Sequence, residues 1–514
     1  MLNFLKKYQV FIAVFLFLIG KHLFKYILLV NEADLLPVAK HVVNPDWIPG
    51  DWYLGTNLEG NYRFLFNMIF GSLATFLPLE AVSVVGRLFF ITVFSYFAQQ
   101  ISNYYKIPFW FFIPFLFLYS NNHSVGAREW MINGLESKSI AYSFVLLAIL
   151  RWLKKDFKLF FLFCGLAVSF HVLVGAFAAL TFVIAMFMNP HEFKPYISSF
   201  FRNSWIGVVA GSFGLFFILK FLFESPQTLS PDPDLIYTLI RVPHHVLPST
   251  WNMDHAISFG GISILVLIIV FFRSKDVLLK LLVSIPLASL VFMLIGFILY
   301  WTGKYTLLKF YWFRYPDAIL PLFAFIVILP ILFEFLAVRL KQSRKWLDGI
   351  FALSSVALFV VFFATIFPGR VEAFFDKRPI AGADLTDDIV EMCSWIRTNT
   401  EEDALFLVNP FFQNFYTLAE RPMVVSVKHF PQSAEHVHEW YVRLSDIYGE
   451  PLKIADIQKS SSEIQREYRE IPIERVKSLD EKYDIDYFLS IKKREDLKSS
   501  LLYHKGSYYL YGLD

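Results

Sequence analysis

The start of the chain combines a long apolar run with an acidic and aromatic loop. Residues 9–30 read QVFIAVFLFLIGKHLFKYILLV, residues 31–37 read NEADLLP, and residues 44–53 read NPDWIPGDWY. An apolar run of this length is typical of a transmembrane helix. The loop that follows places several carboxylates beside Trp, Tyr and Pro at a membrane edge. This combination predicts a membrane protein with a functional surface close to its first helix.

The composition excludes a disordered chain and an ordinary soluble enzyme. Of the 514 residues, 56% are hydrophobic, 19% are aromatic and 18% are charged, which indicates a polytopic membrane protein. The net charge of +3 and the lack of a basic tract exclude a nucleic-acid partner. No disulfide is expected, because Cys164 lies in an apolar run and Cys393 in a polar one.

The apolar segments and the distribution of Lys and Arg predict about eleven transmembrane helices. The run 64–79 is expected to be re-entrant or interfacial, because counting it as a span would place Lys154 and Lys155 outside. With a cytoplasmic N-terminus, the basic clusters of the internal loops then all lie inside. The expected spans lie near residues 9–30, 83–101, 107–120, 139–153, 159–171, 173–188, 204–223, 257–272, 278–301, 317–338 and 346–367.

The composition becomes charged and mixed after residue 368. Residues 1–368 are therefore predicted to form the transmembrane domain, and residues 369–514 a soluble extracytoplasmic α/β domain. The pattern predicts a helix over 384–397 and strands near 404–408, 423–427, 486–490 and 507–511. The expected location is a cell membrane, with the bacterial inner membrane first.

The first loop supplies three candidate catalytic carboxylates, which are Asp34, Glu32 and Asp51. A carboxylate can act as a general base, and it is also a ligand for a divalent cation. Asp51 equally suits a turn position beside Pro and Gly. The neighbouring Trp and Tyr side chains equally suit anchoring at the membrane interface. The pattern leaves a metal requirement open.

Three later loops supply candidate substrate-binding residues, which are Glu129, Glu136, Lys138, Arg241, His244, His245 and Arg314. Arg and Lys can clamp a phosphate, and His can donate to phosphate oxygens. Structural alternatives remain for several of them. If their segment is helical, Glu129 and Glu136 share a face. Glu136 and Lys138 can pair with each other, Arg314 can anchor a helix end, and the adjacent His pair is too short for a metal site alone.

These loops together resemble the GT-C superfamily of membrane glycosyltransferases, and more narrowly uncharacterised bacterial multipass proteins of that type. The resemblance covers most of the chain as a pattern. It is carried by Glu129-Trp130-Met131 with Gly134, Glu136, Lys138 and Ala141-Tyr142, by Arg241-x-Pro243-His244-His245 with Pro248 and Trp251, by Phe313-Arg314-Tyr315-Pro316, and in the tail by Trp395-Ile396, Asn399-Thr400, Asp403-Ala404, Lys428, Pro431, Trp440 and Arg443.

The resemblance implies that the protein, surrounded by membrane lipids, transfers a sugar from a polyprenyl-phosphate carrier. The acceptor would be a glycan, a lipid or a protein on the outer face of the membrane. The resemblance also implies that a first-loop carboxylate is the base, with Asp34 first and Glu32 and Asp51 as rivals, and that later cations bind the lipid phosphate. The chain has Glu32-x-Asp34 where the family has two adjacent acidic residues. The identity of the catalytic base and the requirement for a divalent cation therefore stay open. The alternatives are a lipid-linked glycan transporter or flippase, a non-catalytic envelope glycan assembly protein, and a polysaccharide polymerase or ligase.

Overall fold

The computed structural model describes residues 7–24, 31–58, 61–223, 229–339, 344–375, 386–452 and 466–513. The chain forms two compact units. The first, here the apolar unit, comprises Met1–Lys25, Ser83–Phe223 and His244–Glu372. The second, here the mixed unit, comprises Tyr26–Val82, Glu224–Pro243 and Ala373–Asp514.

The apolar unit consists of helices. Its longer α-helical segments are Gln9–Leu18, Leu79–Tyr105 (which begins in the mixed unit), Phe109–Asn121, Ser137–Leu153, Phe157–Phe170, Val172–Met188, Ile197–Ala210, Ser212–Phe223, Gly261–Arg273, Val277–Trp301, Arg314–Pro321, Leu329–Arg339, Arg344–Val361 and Phe367–Phe375. Several are extended by π-helical turns, at Ile19–Leu23, Ala256–Gly260, Leu322–Ile328 and Phe362–Ile366.

Five helices in the described part of the chain are long and apolar enough to cross a membrane: Leu79–Tyr105, Met253–Arg273, Val277–Trp301, Arg314–Arg339 and Arg344–Glu372. A sixth candidate is the pair Val172–Met188 and Pro190–Ala210, which is bent by 105°. The segments Gln9–Leu23, Phe64–Phe76, Phe109–Asn121 and Phe157–Phe170 are shorter apolar helices. The helical membrane character agrees with the sequence, whereas the count of eleven spans and the orientation of the termini stay predictions.

The predicted break between two short apolar helices is visible at His171. This residue has extended backbone angles, ends the helix Phe157–Phe170 and begins Val172–Met188. Its Nδ1 accepts a hydrogen bond from the backbone N–H of Val174 at 3.3 Å, which satisfies one free donor at the new helix start. His171 therefore has a structural role as a helix cap.

The mixed unit contains a four-stranded sheet with the order β1-β2-β4-β3. The strands are β1 Phe406–Leu407, β2 Tyr487–Ser490, β3 Leu501–Lys505 and β4 Tyr508–Gly512. β1 runs parallel to β2, and the other pairs are antiparallel. The helices of this unit are Glu32–Val43, Trp52–Gly55, Phe64–Phe76, Pro233–Leu235, Asp387–Asn399, Phe415–Leu418, Ala434–Tyr448 and Ile473–Tyr483.

Both faces of this sheet are buried. Phe406, Leu489 and Leu510 lie in one core cluster with the helix Asp387–Asn399. Their chain neighbours Leu407, Phe488 and Tyr511 lie in a second cluster with the helix Ala434–Tyr448. Alternation of side chains along a strand sends neighbours to opposite faces, which explains the two clusters.

The acidic first loop is part of the mixed unit and contributes to its core. Ala33, Val38, Ile48, Tyr53 and Leu54 are buried in the same cluster as the first face of the sheet. The mixed unit therefore includes two segments that lie before residue 369, the start of the predicted soluble domain. The domain boundary itself stays a prediction.

The tail elements agree in part with the sequence prediction. The helix expected over 384–397 is Asp387–Asn399, and three expected strands are found as β1, β2 and β4. The expected strand at 423–427 is absent from the described structure, where only a single bridge joins Phe406 and Met423. The strand β3 was not predicted, because Leu501–Lys505 shows no apolar alternation of side chains.

Candidate functional site

The apolar unit brings four of the predicted substrate-binding residues together around Glu129. The carboxylate of Glu129 is buried, and its Oε1 lies 3.1 Å from Lys138 Nζ. Its second oxygen, Oε2, forms an ion pair with Arg314 Nε. Lys138 Nζ also lies 3.4 Å from Glu136 Oε2, which is the pairing that the sequence left open as a structural alternative to a binding role. These four residues, here the Glu129 cluster, combine two anions with two cations.

Aromatic rings cover both cations of this cluster. Lys138 Nζ lies 4.2 Å from the ring centre of Trp130, and the Arg314 guanidinium lies 4.7 Å from that of Tyr311. The side chain of Lys138 is only 5% exposed, whereas that of Arg314 is 19% exposed. Arg314 is therefore the cation of the cluster that a ligand can reach more easily.

The segment that carries Glu129 is an irregular loop, so the shared helical face considered for Glu129 and Glu136 does not form. The helix begins only at Ser137. Asp317, which is fully buried, fixes this loop by accepting four hydrogen bonds. Its Oδ1 accepts from the N–H groups of Gly126 at 2.6 Å and Ala127 at 3.1 Å. Its Oδ2 accepts from the Ser124 hydroxyl at 2.6 Å and the Glu129 N–H at 2.8 Å.

The predicted His pair lies next to the same loop. His245 Nδ1 lies 2.7 Å from the carbonyl oxygen of Ala127, to which it donates. Burial, together with the charge of Arg314, holds the pKa of His245 well below its usual value. His245 is thus neutral near pH 7, and its Nε2 is a hydrogen-bond acceptor. The rings of His244 and His245 are 4.0 Å apart.

A cavity of about 260 Å³ borders the loop fixed by Asp317. It is lined by Asn121, Asn122, His123, Ser124, Val125, Gly126, Arg128, Asn252 and His255. Burial lowers the pKa of His123 to about 4, so this imidazole is neutral near pH 7. Amides, imidazoles and a guanidinium give the cavity the chemistry of a site for a polar ligand.

The mixed unit holds the three candidate catalytic carboxylates, and their surroundings differ. Asp34 lies in the first turn of the helix Glu32–Val43, and its side chain is 13% exposed. Its Oδ1 accepts a hydrogen bond from the Tyr53 hydroxyl at 3.0 Å. Its Oδ2 has no hydrogen bond among the described residues. Asp34 therefore has one oxygen held in place and one available to a substrate.

Asp51 is a structural residue of the mixed unit. It is buried, and its Oδ1 accepts from the N–H of Leu54 at 2.8 Å and from the hydroxyl of Tyr416 at 2.9 Å. Its Oδ2 accepts from the N–H of Met423 at 3.1 Å. Burial raises the pKa of Asp51 to about 6, and the hydrogen bonds from Leu54, Tyr416 and Met423 oppose that rise. Asp51 caps a short helix and ties the first loop to the tail, which agrees with the turn role considered from the sequence.

The remaining two candidates also lie in the mixed unit. Glu32 is fully buried, so its carboxylate is not accessible to a substrate from solvent. Arg241 donates from Nη2 to the carbonyl oxygen of Lys428 at 3.0 Å. This hydrogen bond fixes the backbone at Lys428, next to His429. His429 is not among the site residues predicted from the sequence.

The described residues contain no group of three His, Cys, Asp or Glu side chains that could hold a metal ion. The candidate site residues thus form two groups within two units. Glu129, Glu136, Lys138, Arg314 and the His pair belong to the apolar unit, and Asp34, Glu32, Asp51 and Arg241 belong to the mixed unit. Tyr416 and His429 are additional residues for which no local sequence pattern indicated a role.

Comparison with known proteins identifies one short segment. Residues 387–447 match the model of a domain of unknown function, DUF6798. This segment contains the helix Asp387–Asn399, the strand β1 and most of the helix Ala434–Tyr448. It also contains Tyr416, Met423 and His429, which contact the carboxylates of the first loop. No curated protein sequence matches the chain.

Proposed function

We propose that the protein is an integral membrane glycosyltransferase of the GT-C type. It would transfer a sugar from a polyprenyl-phosphate carrier to an acceptor on the extracytoplasmic face. The observation that carries the proposal is the state of Asp34. Of the three first-loop candidates, only Asp34 has both solvent exposure and a carboxylate oxygen without a hydrogen bond among the described residues.

Asp34 is proposed as the general base. Its Oδ2 would take the proton from the acceptor hydroxyl while the acceptor oxygen bonds to the sugar, and the carrier phosphate would leave. The hydrogen bond from Tyr53 to Oδ1 fixes the orientation of the carboxylate. A positioned base of this kind contributes roughly 10²–10⁴-fold to the rate.

Arg314 is proposed to bind the phosphate of the carrier, with Lys138 as a second positive charge. Arg314 begins the apolar helix Arg314–Arg339, one of the candidate membrane spans. A guanidinium at the end of a span can meet a lipid phosphate at the membrane surface. The cavity beside the Asp317-fixed loop is proposed to bind a sugar, whose hydroxyls suit the amide and imidazole groups of its lining.

The test is a transfer assay on purified protein in lipid nanodiscs with a panel of radiolabelled polyprenyl-phosphate sugars. Asp34→Asn removes the base, and Asp46→Asn is the matched control, since Asp46 is an exposed acid of the same loop. Wild type and Asp46→Asn are expected to transfer sugar at equal rates, with Asp34→Asn at least about 100-fold slower. Equal turnover by Asp34→Asn, or no turnover of any donor by wild type, would refute the proposal.

One observation favours a second candidate, a non-catalytic envelope glycan assembly protein. In the Glu129 cluster both cations are already matched by the carboxylates of Glu129 and Glu136. A cluster without net charge attracts a phosphate less strongly than free cations would. In this case wild type would bind the carrier weakly and not consume it, and Asp34→Asn would bind it with the same weak affinity.

A further inference from the structure

The imidazole of His429 is buried in the mixed unit without a well-formed hydrogen bond. The residue is 1% exposed, and neither ring nitrogen has a hydrogen-bond partner of good geometry among the described residues. Polar nitrogens in the interior are normally hydrogen-bonded, because their desolvation is otherwise uncompensated. The position of this ring therefore calls for an explanation beyond packing.

Two tyrosines contact the ring and each other, and each leads to a carboxylate. The ring centre of His429 lies 5.3 Å from that of Tyr53 and 4.6 Å from that of Tyr416. The hydroxyl of Tyr53 donates to Asp34, and that of Tyr416 donates to Asp51. The ring centres of Tyr53 and Tyr416 are 6.3 Å apart, so the three rings form a triangular cluster that restricts the imidazole.

The imidazole directs Nε2 toward Asp34. The distance from His429 Nε2 to Asp34 Oδ1 is 3.9 Å, about 1 Å longer than an ordinary N–H···O hydrogen bond. Asp34 Oδ1 already accepts from Tyr53, and a carboxylate oxygen has two lone pairs. Oδ1 can therefore accept a second hydrogen bond, while Oδ2 remains available.

His429 is neutral near pH 7. Burial lowers its pKa to about 4, the charges of Lys428 and Arg241 act in the same direction, and Asp34 and the Gln413 backbone oppose them. A neutral imidazole carries a single N–H. If Nε2 carries that proton, the ring can donate to the neighbouring carboxylate without a charge of its own.

We propose that His429 is a positioning residue for Asp34, whose carboxylate receives a hydrogen bond from Nε2–H at Oδ1. The two groups close by about 1 Å to make this bond. When Asp34 acts as base, the O–H bond of the acceptor breaks and an Oδ2–H bond forms, while His429 keeps its proton. Asp34 then releases its proton to solvent. The catalytic part of this inference rests on the proposed function, whereas the hydrogen bond itself does not.

A purely structural role would give a different result on substitution. Phenylalanine fills nearly the same space against the two tyrosine rings and buries no polar nitrogen. In a structural stack His429→Phe would leave the reactivity of Asp34 unchanged. If His429 donates to Asp34, the same substitution makes that carboxylate easier to protonate.

The test measures carbodiimide labelling of individual carboxyl groups by peptide mass spectrometry at mildly acidic pH, on the full chain in nanodiscs. Labelling of Asp34 is expected to be about tenfold faster in His429→Phe, since a hydrogen bond to a charged group shifts protonation by about one power of ten. His429→Gln retains an N–H donor and is expected to restore the slow rate. Labelling of the exposed Asp46 in the same sample controls for unfolding and should not change.

Equal labelling of Asp34 in wild type and His429→Phe would overturn the inference, as would a fast rate in His429→Gln with Asp46 unchanged. The measurement uses no substrate, so it separates the two proposals. If wild type transfers no sugar but the labelling responds, only the proposed function fails. If sugar is transferred and the labelling does not respond, only the role of His429 fails.

Discussion

Replacing Asp317 by asparagine is expected to destabilise the apolar unit strongly. The side chain is fully buried, and its two oxygens together accept four hydrogen bonds from the loop that carries Glu129. An asparagine offers one acceptor oxygen, and its amide group presents N–H donors where the second oxygen was. The asparagine oxygen fits best at the Oδ1 position, which accepts from two backbone N–H groups. At the Oδ2 position the amide group then faces the Ser124 hydroxyl, which can rotate to accept, and the Glu129 N–H, which cannot.

The magnitude follows from the number of bonds lost. Each hydrogen bond to a charged group contributes about 1.5–3 kcal/mol to stability, so losing the bond from Glu129 and weakening the other three should cost about 3–5 kcal/mol. The Glu129 backbone is one of the affected donors when the amide nitrogen replaces Oδ2. The loop would then lose its hold on Glu129, and with it the ion pair between Glu129 and Arg314.

The free energy of unfolding can be compared in lipid bicelles by titration with SDS, and the melting temperature in nanodiscs. Ser124→Ala is the matched control, because it removes a single donor to Asp317 and should cost about 1.5–3 kcal/mol. If Asp317→Asn were no more destabilising than Ser124→Ala, the carboxylate would not fix the loop, and the positioning of Glu129 would need another cause.

Three further predictions concern other parts of the chain. The raised pKa of Asp51 means that the folded state binds a proton at this carboxyl group more tightly than the unfolded state does. The free energy of unfolding should therefore fall by roughly 3 kcal/mol as the pH rises from about 4 to about 6. When unfolding is measured against pH, this fall should be absent in Asp51→Asn. Glu129→Gln leaves two buried cations without their shared anion and should lower stability by about 3–5 kcal/mol in SDS titration, whereas a cost below about 1 kcal/mol would show that the cations are solvated. Gly71→Ala should lower stability by about 1–3 kcal/mol, since the new Cβ would lie 2.0 Å from a backbone oxygen of the facing helix. Gly349→Ala is the control, because no atom lies within 4 Å of its new Cβ, and it should be neutral or slightly stabilising. Equal melting temperatures of the two variants would contradict the close approach at Gly71.

Much of the fold could be predicted because local signals were strong. Long apolar runs gave the helical membrane character, and the period of the tail gave the helix Asp387–Asn399 and three of the four strands. The segment near Met423 was wrongly predicted as a strand. Its apolar composition is strand-like, but among the described residues it makes a single bridge to β1, through Pro422 O and the Val424 N–H. The N–H of Met423 donates instead to the carboxylate of Asp51.

The candidate site could be predicted only where its residues are close in sequence. Glu136 and Lys138 are two positions apart, and their pairing followed from charge and proximity. The contact of His429 with Asp34 joins opposite ends of the chain, and no local pattern in one sequence reveals such a contact. The roles of Asp34 and Asp51 likewise depend on burial and on tail residues, which separate a reachable carboxylate from a structural one.

The central claim is that Asp34 acts as the base of a sugar transfer, and single-turnover kinetics test it most directly. A radiolabelled polyprenyl-phosphate sugar is first bound to wild type and to Asp34→Asn, and the rate of transfer is then measured after addition of acceptor. The account predicts equal donor binding in both proteins and a rate of transfer that is about 10²–10⁴-fold lower in Asp34→Asn. Equal rates of transfer in the two proteins would contradict it.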